Sequence, residues 1–298
     1  MGLDQYGIAL QVKSELGVAQ SGLNKMQGST RDLITKFAKV AVGAATFTAA
    51  LLLLKKELIA SYQASLKFNE GLANVATLIP GQAERVLELK DAVRDLAVET
   101  GKPLDDLTDG LYQVISAFGD SIETQERLDI VTKAGLAGMA STTSSLNLLS
   151  AVTKAYGDTS ADAMRKVSDL AFLTLKFGQT TFPELASSIQ QVTDSANRMG
   201  VSQEELFAGF ATLTGVSGGA SEVATQLRAA LVALEGPSAD LAKMYEELGV
   251  ASGKSLIEQY GFQGALEQVL IYADKSGVGL QALLGRVQAM SAASYLAG

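Results

Sequence analysis

From residue 16 to residue 75 apolar side chains recur at alternating spacings of three and four for some eight heptads. The positions are Leu16, Ala19, Leu23, Met26, Thr30, Leu33, Phe37, Val40, Ala44, Phe47, Leu51, Leu54, Leu58, Ser61, Ser65, Phe68, Leu72 and Val75, of which only Thr30, Ser61 and Ser65 are polar. Every charge in the stretch lies off that seam, as a 3.5-residue period requires when the seam packs on a partner. The pattern predicts one long helix over 16–78, about 90 Å at roughly 1.5 Å per residue, longer than the core a chain of this size wraps. Association is its expected purpose. The seam residues are Leu16, Leu23, Met26, Leu33, Phe37, Val40, Phe47, Leu51, Leu54, Leu58, Phe68, Leu72 and Val75. Gly17, Gly22, Gly28 and Gly43 each cost about 1 kcal/mol against Ala, so a packed intradomain helix broken near Gly28 is the alternative.

Within this helix residues 40–54 carry no charge, and the flanks Ala41, Val42, Leu52 and Leu53 are as apolar as the seam. Such a helix must be buried all round. At about 22 Å it is short of the roughly 20 residues a bilayer crossing needs. It also starts too far into the chain for a signal peptide. Two readings stay open. The segment is the centre of a multi-helix bundle, or it is sheltered in protein and delivered later to a membrane, with Val40, Val42, Phe47, Leu51, Leu52, Leu53 and Leu54 as the membrane-active residues.

The rest of the chain bounds what else it can be. Its 298 residues suffice for one or two domains, and four prolines, no Trp and abundant Ala, Leu and Gly point to an all-α fold. With no cysteine, disulfides and thiol chemistry are out. Residues 1–70 carry eight Lys/Arg against five Asp/Glu, and residues 71–298 carry sixteen against twenty-seven. An acidic body disfavours nucleic-acid binding, which rests on clustered cations, so no sequence-specific nucleic-acid partner is expected.

Taken in order, Tyr6, Ile8, Leu10 and Val12 alternate as in a strand or an irregular arm over 1–15. Ile79-Pro80-Gly81 is the clearest break, because the residue before proline is pushed out of the helical region and glycine allows the turn. An α-helical core domain is expected over 82–298. Its helices are read at 82–99, 104–117, 122–139, 144–156, 160–176, 183–198, 203–213, 220–234, 238–247, 255–275 and 280–296, with Gly261 or Gly264 splitting the tenth. Four junctions look alike, beginning at Gly101, Gly178, Gly200 and Gly277, where a left-handed glycine should end one helix and a polar or acidic first turn start the next. Ser202 with Glu205 reads as a capping box. The two outer gaps between these junctions are equal but the middle one, Gly178 to Gly200, is far shorter, too uneven a spacing to predict a solenoid.

Motifs that suggest catalysis fail on chemistry. Gly215-Val-Ser217-Gly-Gly219 fits a nucleophile elbow, yet the chain has no histidine to take the serine proton and no strand is expected before it. Gly249-Val-Ala-Ser-Gly-Lys254-Ser255 is one residue short of a phosphate loop and should follow a helix. Asp105, Asp106 and Asp109 are spaced like a helix surface, and the adjacent pairs Glu204-Glu205 and Glu246-Glu247 point to different azimuths. No catalytic residue, metal site or cofactor is expected.

From Phe68-Asn-Glu-Gly-Leu-Ala-Asn-Val75 onward the chain resembles the core region of tail tape measure proteins of long-tailed bacteriophages and prophages. The resemblance runs through 89–107 (LKDAVRDLAVETGKPLDDL), 111–119 (LYQVISAFG), 150–170 (SAVTKAYGDTSADAMRKVSDL), 182–206, 213–234 and 239–250. It covers about three-quarters of the chain, and its serial order carries it. It implies a structural protein that lies extended in the tail tube, self-associates through helices, sets tail length during assembly and is expelled on infection, when some members are thought to help DNA cross the host envelope. The implied partners are further copies of the chain, the tail tube, the tail tip or baseplate, tail assembly chaperones and, transiently, the host membrane. The implied locations are the virion tail and, during assembly, the host cytoplasm. Members are typically far longer, and the apolar pattern Leu283, Leu284, Val287, Met290 runs to the end without a stop signal, so the core region is expected to be truncated at its C-terminus. Two rivals remain: a membrane-permeabilising helical protein with a sheltered apolar helix, and a helical cytoplasmic adaptor.

Overall fold

The structure is a computed structural model, and it describes residues 63–298. Among these residues every regular element is a helix, so the fold is all-α. The strand-like arm and the seam and apolar segment up to Leu58 lie outside the described residues. Contacts divide the chain into two compact units, Met1–Ile115 and Ser116–Gly298. The break at 79–81 is therefore a turn inside the first unit, while the division falls inside a helix.

The described part of the first unit begins with α1 (63–78). The chain turns at Gly81, φ +79°, and enters α2 (Ala83–Thr100). Gly101 closes α2 in the left-handed conformation as the sequence predicts, φ 70°, and α3 (Leu104–Phe118) follows. Phe68, Leu72, Val75 and Ile79 from α1 and its end, Leu89, Val93 and Leu96 from α2, and Leu107, Leu111 and Val114 from α3 are buried. Gly71 sets the α1–α3 distance, since a Cβ there would lie 2.6 Å from Thr108 Cγ2. The Arg94 guanidinium covers the Phe68 ring at 5.6 Å.

The second unit continues with α4 (Thr124–Ala137), α5 (Thr142–Ala155), α6 (Ala161–Phe177), α7 (Phe182–Ser188), α8 (Gln190–Arg198), α9 (Gln203–Thr214), α10 (Ala220–Glu235), α11 (Ala239–Leu248), α12 (Gly253–Ser276), α13 (Leu280–Leu284) and α14 (Val287–Ala297). Contacts between helix ends set their directions. Arg165 of α6 pairs with Glu126 of α4, and Arg127 Nη2 donates to Thr159 O at 3.0 Å, which joins the N-terminal ends of α4 and α6. Lys166 meets Glu204 at 2.7 Å, Thr174 Oγ1 donates to Phe207 O at 3.2 Å, and Gln179 N–H donates to Thr214 Oγ1 at 3.2 Å. Helices α4, α6 and α9 thus run side by side in one direction.

Helix α10 is the centre of the unit. It packs on α7, α8, α9, α12, α13 and α14, and its buried face includes Val223, Leu227, Leu231 and Leu234. The face of α14 packed against it buries only Ala289, Ala292 and Ala293, small side chains that let the two backbones approach.

Local chemistry explains where helices start and stop, and where expectation and structure differ. The Ser202–Glu205 capping box is present, and Gly261 breaks α12, φ 73° and ψ 170°. Gly200 and Gly277 take left-handed conformations as predicted. Gly178 does not: it is extended, φ −103°, and glycine is required because a Cβ would meet Thr214 and stand 2.9 Å from the carbonyl oxygens of Ala211 and Thr174. Thr181 and Glu184 form a second capping box, with Pro183 in the same first turn. The helix read at 183–198 is two helices flanking Ile189, which keeps helical angles. The helix read over 280–296 is interrupted by Gly285, φ 71°, so the apolar pattern through Leu284 and Val287 is not continuous, and Val287 is exposed. Helix α4 ends at Ala137, where the Ala140 N–H closes back on the Gly135 carbonyl at 2.7 Å, and Gly138 lies against Phe182, whose Cγ would be 2.5 Å from an added Cβ. Met139 then turns the chain at φ 52°.

Candidate functional site

The motifs that suggested chemistry are used for folding. Ser217 Oγ lies 2.9 Å from both Leu213 O and Gln226 Oε1, in a turn between two helices. The phosphate-loop lookalike joins helix to helix. Gly249 closes α11 in the left-handed conformation, Ser252 caps α12 by accepting the Ser255 N–H at 3.2 Å, and Lys254 faces Glu258 at 3.9 Å.

The acidic residues are likewise dispersed. Asp106 meets Lys102 at 2.9 Å and Asp105 faces Lys67 at 3.9 Å. Asp109 is raised above the usual carboxylate range by partial burial and by the neighbouring Asp105 and Asp106. It lines, with Gly71, Asn74, Thr77 and Tyr112, a cleft of about 290 Å³ in the first unit. Glu204 and Glu205 go to different partners, Lys166 and the Ser202 cap, while Glu246 and Glu247 are exposed. Among the described residues no group of three His, Cys, Asp or Glu side chains could hold a metal ion, and no helix is long and apolar enough to cross a membrane.

Of the seam residues, Phe68, Leu72 and Val75 fall within the described residues. All three are buried in the first unit, beside α2 and α3, so this end of the heptad pattern serves the chain's own core. The remaining seam positions and residues 40–54 lie outside the described residues.

Two features were not anticipated from the sequence. Arg127 is buried, and its guanidinium lies over the Phe118 ring at 5.0 Å while donating to Glu123 at 2.6 Å, Ser121 Oγ at 3.1 Å and Thr159 O. It ties the loop before α4 to the loop before α6. The second feature is an apolar rim. The parallel helices α4, α6 and α9 end together, and there Leu136, Met139, Leu173, Phe177 and Val216 are exposed, Met139 at 91% and Phe177 at 71%. At the opposite ends of the same helices stand the ion pairs Arg165–Glu126 and Lys166–Glu204. Ile122, also exposed, stands by itself before α4, so the clustered apolar side chains are those at the C-terminal ends, an arrangement suited to contact with other proteins.

Residues 90–288 match the model of the phage-related minor tail protein family. The chain belongs to this family. A tape measure protein of Pneumococcus phage Dp-1 is 23% identical over 239 residues, 80% of this chain. The chain spans only 21% of that relative's length. No solved structure matches. As a member of the minor tail protein family the chain has a structural role in a phage tail.

Proposed function

We propose that this minor tail protein is a tail tape measure protein or its N-terminal portion, occupying the tail tube, setting tail length during assembly and aiding passage of DNA through the host envelope. The observation that carries this reading is the similarity to the Dp-1 tape measure protein along four-fifths of the chain, in serial order. The chemistry is consistent with it, since each motif with catalytic potential in the described residues is used to cap, turn or pair helices.

In this reading residues 16–58 associate with further copies through the seam Leu16, Leu23, Met26, Leu33, Phe37, Val40, Phe47, Leu51, Leu54 and Leu58. Tail tube, tip or baseplate and assembly chaperones supply the remaining contacts, and the apolar rim of the second unit is the described surface best suited to one of them. Because α1 belongs to the core of the first unit, the truncation that tests the seam must spare it. Light scattering should find the full chain oligomeric and a variant lacking residues 1–58 monomeric. If the two have the same association state, the seam does not drive assembly. The tail role is tested by deleting the gene: particles should lack tails of normal length, and normal tails would overturn it.

A further inference from the structure

The starts of the helices recur. Ala83, Leu104, Thr124, Thr142 and Ala161 open α2 to α6, and Ala161, Phe182, Gln203, Ala220 and Ala239 open α6, α7, α9, α10 and α11. One constant offset, that from Ala83 to Ala161, carries each start in the first series onto its counterpart in the second, and only Thr124 to Gln203 exceeds it, by a single position. Individual helix lengths vary, from 18 residues in α2 to 7 in α7, yet the starts hold their phase.

Burial recurs at the same offset. The three buried residues of α2, Leu89, Val93 and Leu96, correspond to Val167, Ala171 and Thr174, all buried in α6. The six buried positions of α3 correspond to six buried positions in 185–193, with Leu107 matched by Leu185, Leu111 by Ile189 and Val114 by Val192. All seven buried positions of α5 correspond to buried positions of α10, Leu149 matching Leu227. In α4 and α9, whose starts differ by one position from the common offset, four positions agree, with Leu128 matching Leu206. Any amphipathic helix has a buried stripe, but the stripe's phase relative to the helix start is not dictated by amphipathicity.

The polar details agree as well. Ser160-Ala161-Asp162 and Ser238-Ala239-Asp240 are the same tripeptide, again separated by the common offset. Ser160 Oγ accepts the Ala163 N–H at 3.2 Å, and Ser238 Oγ accepts the Leu241 N–H at 3.1 Å. One turn on, Asp162 pairs with Arg165 at 2.6 Å and Asp240 with Lys243 at 2.9 Å. Packing inside the second unit follows the same order: α4 packs on α5 as α9 packs on α10, and α5 packs on α8 as α10 packs on α12.

We infer that residues 83–238 are two tandem copies of one module of four helical segments, 83–160 and 161–238, and that a third copy starts at Ala239. The fourth segment of a copy and the second segment of the next form the joint between them, so the partner this surface fits is another copy of the module. In such arrays stability is roughly a sum of module and neighbour terms, and a whole module can be removed without redesigning the remainder. The inference rests on the fold and stands apart from the functional reading.

The test removes one period from the full chain. A variant lacking residues 161–238 joins Ser160 to Ala239 and restores Ser-Ala-Asp at the junction. A control lacking residues 161–219 joins Ser160 to Ala220, an equally good cap-to-helix junction that is out of phase. The in-phase variant should keep one cooperative thermal transition and a mean residue ellipticity within about a tenth of the intact chain's, and the control should lose cooperativity. A control as cooperative as the in-phase variant would overturn the inference. If neither shortened chain folds, helix exchange decides: replacing residues 142–155 with the sequence of 220–233 should lower Tm less than replacing them with that of 203–216. The reverse order, or no difference, would overturn the inference.

Discussion

Glu205 holds Phe262 in place from 57 positions away: its Oε1 accepts the Phe262 N–H at 2.7 Å. Its other oxygen accepts the Ser202 N–H at 2.9 Å and the Ser202 hydroxyl at 2.8 Å. One carboxylate thus caps the start of α9 and the start of the helix half that follows the Gly261 break. Glu205→Ala should destabilise the chain by about 2 kcal/mol, because two sets of helix N–H groups lose their acceptor. Glu205→Gln retains one acceptor oxygen and should cost less. Urea denaturation checks this, and equal losses would show that the carboxylate's double role is unimportant.

Close packing at Gly138 predicts a larger penalty than backbone conformation at Gly277. A Cβ at residue 138 would meet the Phe182 ring at 2.5 Å, and the expected cost of Gly138→Ala is about 1–3 kcal/mol from overpacking. Gly277 has nothing within 4 Å of an added Cβ, so Gly277→Ala should cost only about 1 kcal/mol, from φ +70°. Gly138→Ala should be relieved by Phe182→Leu in a double-mutant cycle, whereas additive losses would contradict the contact.

Stability should fall in alkali. The phenols of Tyr156 and Tyr245 donate to Val201 O and Leu234 O, each at 2.9 Å, and burial pushes both well above the ordinary tyrosine value of 10.0. A raised folded value means that the folded chain holds its proton while the unfolded chain releases it. The contribution is therefore complete below about pH 10 and is lost as pH rises beyond it. Thermal unfolding against pH should show this decline, and Tyr156→Phe with Tyr245→Phe should flatten it. An unchanged slope in the double variant would place the alkaline loss elsewhere.

The apolar rim should be dispensable for folding. Met139 and Phe177 are exposed, so Met139→Ser with Phe177→Ser should change stability by no more than about 0.5 kcal/mol per site. Binding of a hydrophobic dye to the folded chain should fall. Loss of stability comparable to a core substitution would show that the rim is covered within the chain.

Much of this was legible in the sequence because the cues were local. Pro80-Gly81, Ser202 with Glu205 and the break at Gly261 each act within a few residues, and helix starts follow from such signals. Tertiary causes were not legible. Gly178 is glycine because Thr214 stands against it, and Arg127 is buried because Phe118, Glu123 and Thr159 surround it, contacts that no spacing announces. The equal separations of Gly101 from Gly178 and of Gly200 from Gly277 were a trace of the module period, but copies that share caps and burial without much identity show their phase only once helix starts are known.

The most direct test of the tape measure reading is tail length. An insertion of three heptads that continues the seam within 16–58 adds about 32 Å of helix. Electron microscopy of particles from the phage carrying this change should show tails longer by about that amount, to the nearest whole ring of tube subunits, with longer insertions lengthening them further. Tails of unaltered length across a series of such insertions would contradict the proposal that this protein measures the tail.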